Sequence, residues 1–234
     1  ETVLNNMEDP SIIFHNSSLI SFFNFNNLSF SRYILFEGTA YNSFSANINL
    51  FENISAGLSV INLSSGDVEL RKDPFDTPKV ISTNQWAYIF ALASLIKPIN
   101  TAFAANIKYI VMDLYEKKDS GYAFDFSLSK FFHNVDIKYT QATIGFGFSA
   151  ENILGTGVKL DTYREDFQNI YRFSSVISIP VKFRFDSRDT FSLSIDLQNE
   201  DAHNELFAGI EYKIADKYSV RCGYYPDHIT SGFG

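Results

Sequence analysis

The stretch Tyr122-Ala123-Phe124-Asp125-Phe126-Ser127-Leu128-Ser129 decides the fold. Its even positions are all large and apolar, and its odd positions are small or charged. Successive side chains of a β-strand point to opposite faces, so a period of two writes two distinct surfaces onto one segment. The division recurs along the chain. Phe191, Leu193, Ile195 and Leu197 stand against Ser192, Ser194, Asp196 and Gln198. Val181, Phe183 and Phe185 stand against Lys182, Arg184 and Asp186, and Phe44, Ala46, Ile48 and Leu50 against Ser43, Ser45, Asn47 and Asn49. No segment carries a convincing helical period.

Placing boundaries where the alternation stops predicts about eleven strands, at 28–36, 40–51, 54–63, 83–96, 100–113, 121–132, 135–149, 175–186, 190–198, 205–215 and 218–226. Many run to about ten residues or more, beyond the common length in soluble sheets and enough for a tilted strand to cross a bilayer. Tight connections at Glu52-Asn53, Lys97-Pro98-Ile99, Ser187-Arg188-Asp189 and Asp216-Lys217 follow even-numbered strands. Long ones, Ser64–Ser82 and Ala150–Ser174, follow the third and seventh, and those after the fifth and ninth are of intermediate length. Alternating short turns and long loops is the habit of outer-membrane barrels. No apolar run approaches about 18 residues, so a membrane span here has to be made of strands. The 24 Phe and 13 Tyr suit either a lipid-facing belt or a large sandwich core. Alternation alone does not say whether the apolar face points in or out. Strand length, loop parity and a small or charged polar face favour an all-β, antiparallel transmembrane β-barrel of the bacterial outer membrane over a soluble sandwich.

Two regions follow: residues 1–27, which do not alternate, and 28–234, which do. The run from Glu8 to Leu19 reads as turns and short helical pieces. Ile12, Ile13, Phe14 and Leu19 are costly to leave in water, so this segment is expected to pack inside the barrel as a hatch. Together with Asn16 they are the candidate ligand-contacting residues. If the apolar face meets lipid, Lys108, Asp125, Lys182, Arg184, Asp186, Asp196, Glu211, Lys213 and Arg221 line the lumen, where they need water or one another. Their mixed signs argue against strong ion selectivity.

A net charge of −8 with 19 scattered Lys and Arg is no footprint for nucleic acid. His15, His133, His203 and His228 show no ligand spacing on one strand face and no Cys pair exists, so neither a metal nor another cofactor is expected. Cys222 reads as a small apolar strand residue. No nucleotide loop or catalytic constellation stands out, and an enzyme is not expected. The chain opens at Glu1 without a basic stretch or apolar h-region, as expected where a signal peptide is absent or already removed.

Asp9-Pro10 followed by Ile12-Ile13 and Phe14-His15-Asn16 resembles the opening of the FadL-like outer-membrane families, with Ser17-Ser18 where Pro-Ala is usual. Phe148-Ser149-Ala150-Glu151-Asn152-Ile153-Leu154-Gly155 is similar to their strand ending in an Asn-Leu-Gly turn, and Ile179-Pro180-Val181-Lys182-Phe183-Arg184-Phe185 to their Leu-Pro-x-x-Phe-Arg strand. The order of these stretches places the chain nearest the PorV/PorQ-like and small spirochaete-type barrel group. That resemblance implies a barrel of about twelve to fourteen strands with an N-terminal hatch. It implies transport of hydrophobic compounds such as fatty acids across the outer membrane or, alternatively, a structural or secretion-accessory barrel docking a partner protein at its long extracellular loops. Expected partners are membrane lipid or lipopolysaccharide and a hydrophobic small molecule. Ser231-Gly232-Phe233-Gly234 resembles the start of a further strand, so either more C-terminal residues or a partner is expected at that edge.

Overall fold

The computed structural model describes residues 4, 9–23, 25–35, 38–65, 68–70, 73, 77, 79–114, 117–138, 140–160, 163–181, 189–201, 203–215, 217–226 and 228–233. The chain is nearly all antiparallel β. Its strands are β1 (Asn27–Ile34), β2 (Ala40–Phe51), β3 (Ile54–Ser64), β4 (Val68–Leu70), β5 (Lys79–Ile81), β6 (Thr83–Ile96), β7 (Thr101–Leu114) and β8 (Lys117–Ile137). They continue as β9 (Thr140–Glu151), β10 (Val158–Leu160), β11 (Tyr163–Glu165), β12 (Ile170–Val181), β13 (Asp189–Glu200), β14 (His203–Ile214), β15 (Tyr218–Tyr225) and β16 (His228–Phe233). Twelve of them form one sheet in the order β1-β2-β3-β6-β7-β8-β9-β12-β13-β14-β15-β16, so every neighbour in space is the next long strand in sequence. The pairs β4–β5 and β10–β11 are small hairpins inside the two long connections. Among the described residues β1 and β16 are edges, and the sheet is not closed.

The register carries the alternation across the sheet. Phe103 faces Leu128, Leu128 faces Phe148, Phe148 faces Phe173, Phe173 faces Leu197 and Leu197 faces Leu206, one apolar row over six strands. All six side chains are exposed. The opposite face is buried although it is polar: Ser45, Ser59, Ser127, Ser129, Ser149, Ser174 and Ser194 are all at 2% exposure or less. This sheet is therefore inside-out relative to a water-soluble fold, in which the apolar face is the covered one.

The N-terminal segment covers the polar face. It forms two 3₁₀ turns, Pro10–Phe14 and Ser17–Phe22. Asp9 caps the first, accepting a hydrogen bond from the Ser11 N–H at 2.9 Å, and Pro10 occupies the first helical position, where no N–H is needed. The first turn touches β1, β2, β3 and β6, and the second touches β3, β6, β7 and β8.

Several boundaries differ from the sequence reading. The break placed at 133–134 is a bulge: Asn134 has φ 56°, the register shifts between Phe132 and Val135, and β8 runs on to Ile137. The turn lies instead between Ile137 and Thr140, with Lys138 at φ 50°. The strand placed at 175–186 begins at Ile170, which shortens the long connection before it. The connection after β13 is tight rather than intermediate, with Asp201 at φ 44° between Glu200 and His203. A twelfth long strand, β16, begins at His228, three residues before the Ser231 start that was expected.

Candidate functional site

The inner face has two levels. Towards the short-turn ends of the strands it is small and apolar, with Ala91 and Ala93 on β6, Ala102 and Ala104 on β7, Phe131 on β8 and Val176 on β12, all buried. Against it lie Ile12, Ile13, Leu19 and Ile20 of the N-terminal segment, none more than 2% exposed, with Leu4 and Phe23 in the same cluster. Phe22 meets Phe131 edge to face at 5.0 Å. Two glycines make room. A Cβ on Gly57 would stand 2.6 Å from Ile13 Cδ1, and one on Gly147 2.9 Å from Asn16 Nδ2.

Polar contacts fix the segment's register. Asn16 Nδ2 donates to Ser129 Oγ at 3.0 Å, and the Ser18 N–H donates to Ser127 Oγ at 3.0 Å. Ser18 Oγ lies 2.7 Å from Ser129 Oγ and 2.6 Å from Asn16 Oδ1, and Ser17 Oγ lies 3.1 Å from Ser127 Oγ. Asn106 Nδ2 reaches the Ile13 carbonyl at 3.4 Å. A buried hydroxyl or amide costs about 1–3 kcal/mol when left unpaired, so these serines and asparagines accept one seating of the segment and penalise others.

Above this floor, towards the long connections, the inner face is charged. Lys108 on β7 pairs with Asp125 on β8 at 3.0 Å and with Glu151 on β9 at 3.6 Å, and Arg172 on β12 pairs with Glu151 at 3.5 Å. Arg172 also donates to Gln198 on β13, and Asn106 to Asp125 at 3.1 Å. Five consecutive strands are thus tied through one buried network. Burying such charges costs several kcal/mol per ion unless each is paired, which explains the chain of alternating signs.

The connection between β9 and β12 folds back over the charged level. The Asn152 N–H donates to Asp125 Oδ1 at 2.8 Å, the Ile153 N–H to the Phe124 carbonyl at 2.9 Å and the Thr156 N–H to the Tyr122 carbonyl at 2.9 Å. Gly121 accepts this close approach, since a Cβ there would lie 2.4 Å from the Gly157 carbonyl oxygen. Beside it Asn152, Arg164, Asp166, Phe167 and Glu200 line an open recess of about 410 Å³.

The structure gathers some of the sequence-selected residues and disperses others. Ile12, Ile13, Asn16 and Leu19 are buried together, with Phe14 partly buried beside them. Lys108 and Asp125 belong to the charged network. Asp196 is buried on the same face of β13, and Glu211 on β14 accepts a hydrogen bond from Arg221 Nε at 2.7 Å. Lys213 is half-buried on β14. Lys182, Arg184 and Asp186 lie outside the described residues. Sequence reading missed Glu151 and Arg172, because the strands that carry them were ended at 149 and begun at 175. Arg172-Phe173-Ser174 continues the polar–apolar alternation of β12, and that signal was there to find. Among the described residues no three His, Cys, Asp or Glu side chains are grouped to hold a metal ion. No protein-family model matches the chain, and no curated protein sequence matches it either.

Proposed function

We propose that the chain is a β-barrel protein of the bacterial outer membrane, of the FadL-like kind, with its N-terminal segment as a hatch and a role in moving hydrophobic compounds such as fatty acids across that membrane. One observation carries the membrane reading: the sheet exposes its apolar face and buries its polar one. Exposing rows such as Phe103–Leu128–Phe148–Phe173–Leu197–Leu206 to water costs about 25 cal/mol per Å², whereas in hydrocarbon the same rows are at home. In a lipid setting the edges at β1 and β16 need further pairing, since each unpaired amide costs several kcal/mol there. Closure by direct pairing, by more strands of the polypeptide or by a partner satisfies that need.

The transport reading draws on the two-level inner face. Shifting the segment would open a path lined by Ala91, Ala93, Ala104, Phe131 and Val176, suited to an apolar solute and poorly suited to ions. A second reading, a plugged scaffold that docks a partner at its long loops, draws on how fully the segment is held by Asn16, Ser17 and Ser18. The full chain in proteoliposomes separates the two. Weakening the seat with Ser18→Ala and Asn16→Ala raises uptake of a fluorescent fatty acid, with little ion conductance, if the segment is a hatch. No uptake in either form, from protein that migrates as a folded barrel on a heat-modifiability gel, sinks transport and leaves the scaffold.

A further inference from the structure

At the ends of β6, β7 and β8 nearest the long β3–β6 connection the outer apolar face opens into a groove of about 640 Å³, lined by Trp86, Tyr88, Tyr109, Val111, Lys118, Asp119 and Ser120. Its position is set by a gradient along each strand. On β8 the outward positions run Phe126, Phe124, Tyr122, Ser120, Lys118, and on β6 they run Phe90, Tyr88, Trp86, Asn84. Hydrocarbon-like side chains give way to aromatic rings with a polar handle, then to a hydroxyl, an amide and a cation. That is the order of chemistry met on leaving a bilayer core for its head groups.

The aromatic side chains form one continuous row rather than separate anchors. Trp86 and Tyr88 lie 6.1 Å apart with planes within 11°, Tyr88 and Tyr109 6.3 Å apart at 27°, and Tyr109 and Tyr122 5.0 Å apart at 35°. Each ring remains 37–48% exposed. The polar wall is uneven. The Asp119 carboxylate accepts the Lys159 N–H at 2.5 Å and keeps its charge, so the wall carries one anion beside the exposed Lys118 ammonium and Ser120. Asp113 stands opposite Lys118 on β7.

We propose that this groove binds the sugar head group of an outer-leaflet glycolipid, with the apolar face of a pyranose ring against Trp86, Tyr88 and Tyr109. Lys118 and Ser120 donate to its hydroxyl or phosphate oxygens. The volume falls within the range typical of small-ligand sites, and aromatic rings beside a cation and a hydroxyl match a ligand that is apolar on its ring faces and polar at its rim. A lipid without a sugar uses only the aromatic row and leaves the recess beside it unfilled. This inference rests on the reading that the apolar face meets lipid.

Trp86 is the only tryptophan, so its emission reports on the groove directly. The full chain is placed in phospholipid nanodiscs, and a glycolipid with a phosphorylated glucosamine head group is compared with phosphatidylglycerol at equal mole fraction. The expected result is a saturable change in Trp86 emission with the glycolipid and not with phosphatidylglycerol. Its midpoint should weaken about tenfold in Lys118→Ala, the loss of one charge-assisted hydrogen bond, and stay in place in Phe148→Ala. An equal response to both lipids, or none to the glycolipid, overturns the proposal and leaves an ordinary aromatic belt. Bromine-labelled acyl chains in the same discs test the underlying reading separately. They quench Trp86 whether or not the glycolipid binds if the face meets lipid, and fail to quench it if that reading is wrong.

Discussion

Strands β2, β3 and β6 to β9 and strands β13 to β16 are written in the same alternating code, yet their polar faces end in different surroundings. In the first group the inner face meets the N-terminal segment, and Ala91, Ala104, Ser59 and Ser129 are at most 1% exposed. In the second the cover thins strand by strand. Ser194 and Asp196 on β13 are buried, Arg221 on β15 is 41% exposed at its side chain, and β16 is exposed at every position described. Alternation assigns each side chain to a face, whereas what covers the face comes from elsewhere in the chain. Here the cover is a 3₁₀ segment before the first strand, and it reaches only part of the sheet.

The comparison breaks if paired substitutions in the two regions cost the same. Unfolding in detergent micelles, followed by Trp86 emission, is the measurement. Lys108→Ala leaves Asp125 and Glu151 buried beside a missing cation and is expected to cost about 3–5 kcal/mol. Arg221→Ala removes a half-exposed partner of Glu211 and is expected to cost clearly less, because solvent screens that pair. Next in size, Ile20→Ala empties a fully buried site, at about 2–5 kcal/mol, while Ile229→Ala on β16 costs less, because no cavity closes around an exposed side chain.

Two smaller effects sharpen the same contrast. Ser18→Ala removes a hydroxyl lying between Asn16 and Ser129 and is expected to cost about 1–3 kcal/mol. Combined with Ser129→Ala the loss is less than the sum, because the two share one network. The smallest effect lies outside the strands, at the turn between β2 and β3. The hydrogen bond from Lys97 holds the Glu52 carboxyl below its ordinary range. The stability it contributes is present above the unfolded value and is lost as pH falls through the folded one. The acid limb below about pH 4.5 is therefore slightly shallower in Glu52→Gln than in the parent chain.

Most of the sheet was legible because each long strand carries two chemically different faces. Strands 40–51 and 83–96 were read to their ends, since Glu52-Asn53 and Lys97-Pro98 break the pattern sharply. The break at 133–134 misled because alternation lapses at a bulge as it does at a turn, and sequence does not say which. The site was half legible. Lys108 and Asp125 sit mid-strand within clean alternation, but Glu151 and Arg172 sit where strands meet a long connection and the boundary is least defined. The serine seat was hidden for another reason: Ser127 and Ser129 read as generic small polar residues, and only the fold places Asn16 and Ser18 across from them.

The central claim is that the exposed apolar face meets lipid. The most direct test replaces Cys222, the only cysteine, with Ser, and then places single spin-labelled cysteines at residues 124–128 of the bilayer-reconstituted chain. The account predicts strong collision with oxygen dissolved in the lipid at positions 124, 126 and 128, and weak collision at 125 and 127. An absent alternation, or positions 124, 126 and 128 open to a water-soluble nickel reagent, would contradict it.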